Sequence, residues 1–157
     1  MQTDELQKLL FAVMPQWYRY IAKPFKQLMR SGVSLDMYYC IQILRYSDRN
    51  LTMTELAKCM RVPKQQMTKL CNKLIEQRFV ERLADPDDRR VVRLAPTERA
   101  EAFTAHFLTE DAAYYKTLFE SLDDADRENF RDALGNLFEI FMKLDREECR
   151  PDEQKEG

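Results

Sequence analysis

Val80-Glu81-Arg82-Leu83-Ala84-Asp85-Pro86-Asp87-Asp88-Arg89-Arg90-Val91-Val92-Arg93-Leu94 is a pair of strand-forming runs around a six-residue cluster of turn formers. That pattern predicts a β-hairpin. Just before it, Pro63 opens a run in which Met67, Leu70, Cys71, Leu74 and Ile75 recur at i, i+3, i+4, i+7 and i+8, the apolar face of a helix. The opposite face reads Lys64, Gln65, Gln66, Thr68, Lys69, Asn72, Lys73. Further back, Thr52-Met53-Thr54-Glu55 is a capping box ahead of a short helix whose apolar positions are Leu56, Ala57 and Met60. Two short helices across a four-residue joint at Arg61-Val62, followed at once by a hairpin, predict a helix-turn-helix with a β wing.

Working outward, Leu6, Leu10, Val13, Trp17, Tyr20 or Ile21, Phe25 and Leu28 repeat at helical spacing. Pro15 and Pro24 each lack an amide donor, so this helix should start, break or kink near them, and Ser31-Gly32 ends it. A second helix fits Leu35 to about Ser47. After the hairpin, from Pro96 onward, Ala100, Phe103, Phe107, Tyr115, Leu118 and Leu122 share a helical side. Asp123 caps a last helix, whose Phe130, Leu134, Leu137, Phe141 and Leu144 step by 4, 3, 4, 3 into a narrow seam suited to a partner helix. The expected fold is mainly α with a small β-hairpin: one domain over 1–149, with a winged helix-turn-helix lobe at about 35–97 and outer helices at 1–30 and 98–149 whose seam suits dimerisation. The charged tail 150–157 has no apolar anchor and is expected to be disordered.

The composition narrows the chemistry. With 157 residues, 45% of them hydrophobic, the chain can bury a single-domain core. Three glycines leave no room for a phosphate-binding or dinucleotide loop, so no cofactor is expected. One histidine, His106, and no Cys-x-x-Cys pair leave no metal site, and His106 beside Phe103 and Phe107 reads as structural. No nucleophile, base and orienting group assemble into a catalytic set, so an enzyme is not expected. The first residues carry acids where a secretory signal is basic, and the apolar run Leu9 to Met14 stops at Pro15. A cytoplasmic protein off the membrane is the expectation, with Cys40, Cys59, Cys71 and Cys149 as free thiols. Charge is uneven: residues 52–93 hold 10 Lys/Arg against 6 Asp/Glu, whereas 94–157 hold 8 against 17. One basic face suits a polyanion, and an acidic one is held away from it.

Leu51-Thr52-Met53-Thr54-Glu55-Leu56-Ala57, Val80-Glu81-Arg82 and above all Asp85 to Leu94 resemble the MarR (multiple antibiotic resistance regulator) family of winged helix-turn-helix transcriptional regulators. The likeness spans about residues 6–146, with its motifs in 51–97. It implies a homodimer that binds double-stranded DNA at a pseudo-palindromic operator, as a repressor released by a small aromatic or lipophilic effector. The sequence departs from the family at Leu94-Ala95-Pro96-Thr97-Glu98, where relatives have Leu-Thr-Pro-x-Gly and where the helix N-cap hydroxyl is read as missing. Pro63 likewise replaces a small hydroxyl residue at the start of the recognition helix.

On this reading the helix at about 63–77 enters the major groove with Lys64, Gln65, Gln66, Thr68 and Lys69, and Lys73 lies better for phosphate. The plainer alternative is a solvated helix face. The wing at about 84–91 reaches the minor groove through Arg90, with Arg89 beside it, and Asp88 fixes the direction of Arg90. The alternative there is turn chemistry with free arginines. Trp17, Tyr20, Tyr38 and Tyr39 are the candidate effector residues, in a cluster of aromatics most of which read as core. Two other functions stay open: a winged-helix module that binds a protein, and a thiol-based redox-sensing regulator.

Overall fold

The computed structural model describes residues 2–29 and 32–148. Chain contacts divide it into two compact units, Met1–Leu35 and Asp36–Gly157. The first is one helical run: α1 (Thr3–Trp17), a π-helical segment (Tyr18–Ala22) and α2 (Lys23–Leu28). Pro15 lies inside α1 and Pro24 in the first turn of α2. The irregularity expected from them takes the form of the π segment, whose wider turn lies just before the proline that cannot donate backward. Beyond it Gly32 adopts φ 94, a left-handed conformation that a side chain would strain.

The second unit contains α3 (Leu35–Tyr46, starting at the boundary), β1 (Leu51–Thr52), α4 (Met53–Met60) and α5 (Lys64–Glu76). Then come β2 (Val80–Ala84), β3 (Val92–Pro96), α6 (Glu98–His106), a second π segment (Phe107–Asp111), α7 (Ala113–Glu120) and α8 (Asp124–Glu148). The hairpin is part of a three-stranded antiparallel sheet in the order β1-β3-β2. Leu51 pairs with Leu94, and Arg82 with the same Leu94 on the other side. β1 is only two residues long, so the sequence shows no alternation for it. The helical stretch after Pro96 is interrupted at the second π segment, not continuous to Leu122.

Ile41, Leu56, Met67, Leu74, Val80 and Leu94 are fully buried, so α3, α4, α5 and the sheet share one core. At about 25 cal/mol per Å² this burial is the main force holding α5 against its neighbours. Phe79 and Phe103 pack edge to face at 5.3 Å, joining the start of the sheet to α6. The polar groups beneath α3 are paired. Arg45 Nε donates to both carboxylate oxygens of Glu101, at 2.9 and 3.0 Å, and Nη1 donates to Gln42 Oε1 at 2.8 Å, while Gln42 donates to the buried Thr104.

Four local readings are corrected. Pro63 is the N-cap of α5, not its first helical residue, because its ψ of 147 is extended. The cap hydroxyl of α6 is present: Thr97 Oγ1 accepts from Ala100 N and donates to Arg78 O at 2.5 Å. His106 is exposed in the last turn of α6, since the apolar side of that helix runs through Phe103 and Phe107. Cys40 and Cys71 are buried free thiols as expected, but Cys59 is disulfide-bonded. Cys59 is half-buried at the end of α4, where another sulfur has access that the core denies to Cys40 and Cys71. Cys149 and the tail 150–157 lie outside the described residues.

Candidate nucleic-acid interface

The helix-turn-helix is held at its start by the predicted capping box. Thr52 Oγ1 accepts from Glu55 N at 3.2 Å, and Glu55 Oε2 accepts from Thr52 N at 2.9 Å. Such a cap contributes about 1 kcal/mol. Arg61 ends α4 in the left-handed region at φ 53, letting Val62 N bond to Ala57 O, and the chain turns straight into α5.

α5 has two unlike sides. Met67, Leu70, Cys71 and Leu74 are buried and fasten it, while Lys64, Gln65, Gln66, Thr68, Lys69 and Lys73 are all exposed. At 100° per residue Gln65 and Lys69 lie near the middle of the outward arc, with Lys64 and Thr68 on one flank and Gln66 and Lys73 on the other. The six predicted residues therefore share one surface. Thr68 differs in detail: its hydroxyl donates to Lys64 O at 2.9 Å or Met53 Sδ at 3.3 Å, which leaves only acceptor lone pairs for a ligand. Asn72 extends this surface and accepts from Arg82 Nη2 on β2 at 3.3 Å. Arg82 was not among the expected site residues, because only the fold brings it beside α5.

The wing loop is built on two carboxylates. Asp85 Oδ1 accepts from the amides of Asp87 (2.8 Å) and Asp88 (3.1 Å), and Oδ2 accepts from Arg93 Nε at 2.5 Å. Asp88 accepts from Arg90 at the amide (3.0 Å), Nε (3.2 Å) and Nη2 (3.3 Å). The expected Asp88–Arg90 pair is present, and Arg90 remains 90% exposed while so directed. Arg89 is exposed beside it. The hydrogen bond from Arg93 above all holds the Asp85 carboxyl below the usual range, and the bond from Arg90 does the same for Asp88. For Glu55 burial pushes upward, but Arg49, the Thr52 amide and Arg93 together outweigh it. Arg49, Asp85 and Arg93 are not among the expected site residues, and Glu55 was read only as half of the capping box, since the ion pairs that join them link different elements.

The aromatic candidates fall on both units. Trp17 and Tyr20 belong to the first, where the Arg19 guanidinium lies 5.2 Å from the Tyr20 ring. In the second, Tyr38 packs 5.5 Å from Phe107 and 6.2 Å from Tyr39, and burial raises the pKa of both tyrosines. An open cleft of about 930 Å³ lies elsewhere, at the base of the hairpin, lined by Ile75, Arg78, Arg82, Thr97 and Arg99 among others. Among the described residues no group of three His, Cys, Asp or Glu side chains is placed to hold a metal ion. No helix of the described residues is long and apolar enough to cross a membrane.

Residues 31–91 match the family model described as MarR family. The chain is 25% identical over 129 residues to the uncharacterized HTH-type transcriptional regulator YpoP of Bacillus subtilis, covering 82% of this chain and 86% of the relative. It is 32% identical over 92 residues to the HTH-type transcriptional repressor YetL of the same organism, covering 59% and 55%. Among solved structures, Streptococcus pneumoniae FabT in complex with DNA has the same fold, with a TM-score of 0.55 at 16% identity over 91% of this chain and 99% of that one.

Proposed function

From a chain that belongs to the MarR family, its family core at residues 31–91, we propose a transcription regulator that binds double-stranded DNA as a homodimer in the cytoplasm. The observation that carries this reading is α5: a helix fastened by four buried side chains that turns Gln65, Gln66, Lys69 and Lys73 outward as one surface. A helix of that width enters the major groove, where glutamine addresses adenine and lysine addresses guanine. Arg90, directed by Asp88 and left exposed, supplies the charge that a narrow minor groove attracts. Repression fits the role of the similar Bacillus subtilis YetL, a transcriptional repressor.

The partner of the dimer is a second copy of the chain. Leu137, Phe138, Ile140, Phe141 and Leu144 are exposed on α8, and Leu6, Leu9, Leu10 and Phe11 on α1, more apolar surface than a monomer commonly shows. Release by a small aromatic or lipophilic effector is the remaining part of the reading, with Trp17, Tyr20, Tyr38 and Tyr39 as its candidate residues. The test is selection of bound duplexes from a random-sequence pool. A pseudo-palindrome with half-sites about one helical turn apart, roughly 34 Å, is expected. No enrichment at moderate salt would reject DNA reading and favour a protein-binding module.

A further inference from the structure

We propose that Arg93 and Asp85 are positioning residues that tie the wing to the helix-turn-helix and so set where Arg90 stands relative to α5, without touching nucleic acid. The proposal rests on the DNA-reading surface proposed above.

Arg93 sits in the middle strand, opposite Thr52 on β1 and Leu83 on β2, and is 27% exposed. Its guanidinium is engaged on two sides. Nε donates to Asp85 Oδ2 at 2.5 Å, and Nη1 donates to Asn50 O at 3.0 Å and lies 3.7 Å from Glu55 Oε2. The same Glu55 oxygen accepts from Arg49 Nη1 at 2.8 Å and from Thr52 N at the cap of α4. From Arg93 the connection runs outward: Asp85, 9% exposed, holds the amides of Asp87 and Asp88, and Asp88 holds Arg90. A line of hydrogen bonds, joined between Glu55 and Arg93 by a 3.7 Å ion pair, thus runs from the N-cap of α4 to the tip of the wing.

Across the loop itself, two backbone bonds close the turn, Asp85 N to Val91 O and Val91 N to Asp88 O, both 3.0 Å. A loop without glycine between two short strands would otherwise sample many directions, and ordering it on binding would cost affinity. The Asp85 carboxylate removes that freedom by gathering two amides. Arg93 neutralises this acid, which would otherwise face the same polyanion as Arg90. Engaged on both sides, Arg93 is directed into the protein and not toward a phosphate.

The experiment compares Arg93→Met, Arg93→Lys, Arg90→Ala and the Arg93→Met/Arg90→Ala double variant, first without DNA. Hydrogen exchange at the Asp87, Asp88 and Val91 amides should speed up about tenfold in Arg93→Met, with the α5 amides unchanged. Arg93→Lys, which keeps the charge but loses the fork, should fall between. Binding is then measured on a duplex selected from a random pool. Arg93→Met should weaken binding about as much as Arg90→Ala, and the double variant should be within about twofold of either, because both remove the same contact. Losses that multiply in the double variant would make Arg93 an independent contact and overturn the proposal. Unchanged exchange in the wing, or equal loosening of α5, would overturn it too. If the parent protein binds no duplex, the DNA reading falls, while the exchange arm still decides whether Arg93 orders the wing.

Discussion

Lys69 and Lys73 lie four residues apart on the outward arc of α5, both exposed, and the geometry assigns them different jobs. On the proposed reading Lys69, near the middle of the arc, faces base edges, and Lys73, a turn further from the leading end of the helix and on its flank, faces a phosphate. Replacing either by alanine removes no buried contact, so folding stability should move by no more than about 0.5 kcal/mol. Lys69→Ala should cost about 1–3 kcal/mol per half-site on the matched duplex, roughly 5- to 160-fold, and little on a duplex already changed at that base pair. For Lys73→Ala both duplexes should weaken alike. Each phosphate contact adds about 0.9 to the slope of log affinity against log salt, so two copies in a dimer contribute about 1.8. A fourfold rise in salt should then cost the Lys73 variant about twelvefold less affinity than the parent. Fluorescence anisotropy on matched and mismatched duplexes at four salt concentrations reads both effects. If Lys69→Ala weakened both duplexes equally and flattened the slope, Lys69 would be a phosphate contact and the placement of α5 would be wrong. If neither variant changed anything, α5 would not face DNA.

Four further outcomes are expected. Light scattering should give about twice 18.8 kDa, and Phe141→Asp, at a site 53% exposed on α8, should shift the mass toward one copy; an unchanged mass would remove that face from the interface. Leu74→Ala deletes a fully buried side chain beneath α5 and should cost about 2–5 kcal/mol in urea unfolding, whereas a cost under 1 would mean that α5 is loosely held. Asp85, Asp88 and Glu55 have folded pKa values below their unfolded ones, so their contribution is complete above about pH 5 and is lost as pH falls through the unfolded and then the lowered values. Circular dichroism melts should therefore be flat in this respect from pH 5 to 8 and decline below about 4, and a decline beginning near neutrality would point to other groups. Burial pushes the Cys71 thiol up to about 11 and the Cys40 thiol up to about 12, so a thiol reagent at neutral pH should label them only on unfolding. Rapid labelling of either would revive a redox role for them.

The elements legible in the sequence are those whose signals are local. Thr52 and Glu55 are three residues apart, and both halves of their capping box formed as read. α5 was legible because its apolar and polar residues separate at helical spacing, and Asp88 and Arg90 because they are neighbours in the turn. What escaped depends on register. Arg93 meets Asp85 only when the hairpin closes, and meets Asn50 only because β1 pairs with β3. β1 itself is too short to alternate. The cap of α6 was sought at Ala95 by analogy, while Thr97, two residues later, forms it. Cys59 shares its spacing with ordinary core cysteines, and half-exposure at a helix end distinguishes it only in the fold.

Charge counting shows the same limit more sharply. Three acids, Asp85, Asp87 and Asp88, stand in the wing proposed to face DNA, and summed along the sequence they weigh against that role. In the fold Asp85 is covered by Arg93 and two amides, and Asp88 is paired with Arg90, so both carboxylates act as acceptors for the wing's own donors. Replacing them with neutral residues would lower the negative charge near DNA and yet should weaken binding, because direction is lost with the acceptor. Net charge then predicts tighter binding for Asp85→Ala and the bonding geometry weaker binding: affinity measured for that variant at low salt, where the charge term is greatest, decides between them.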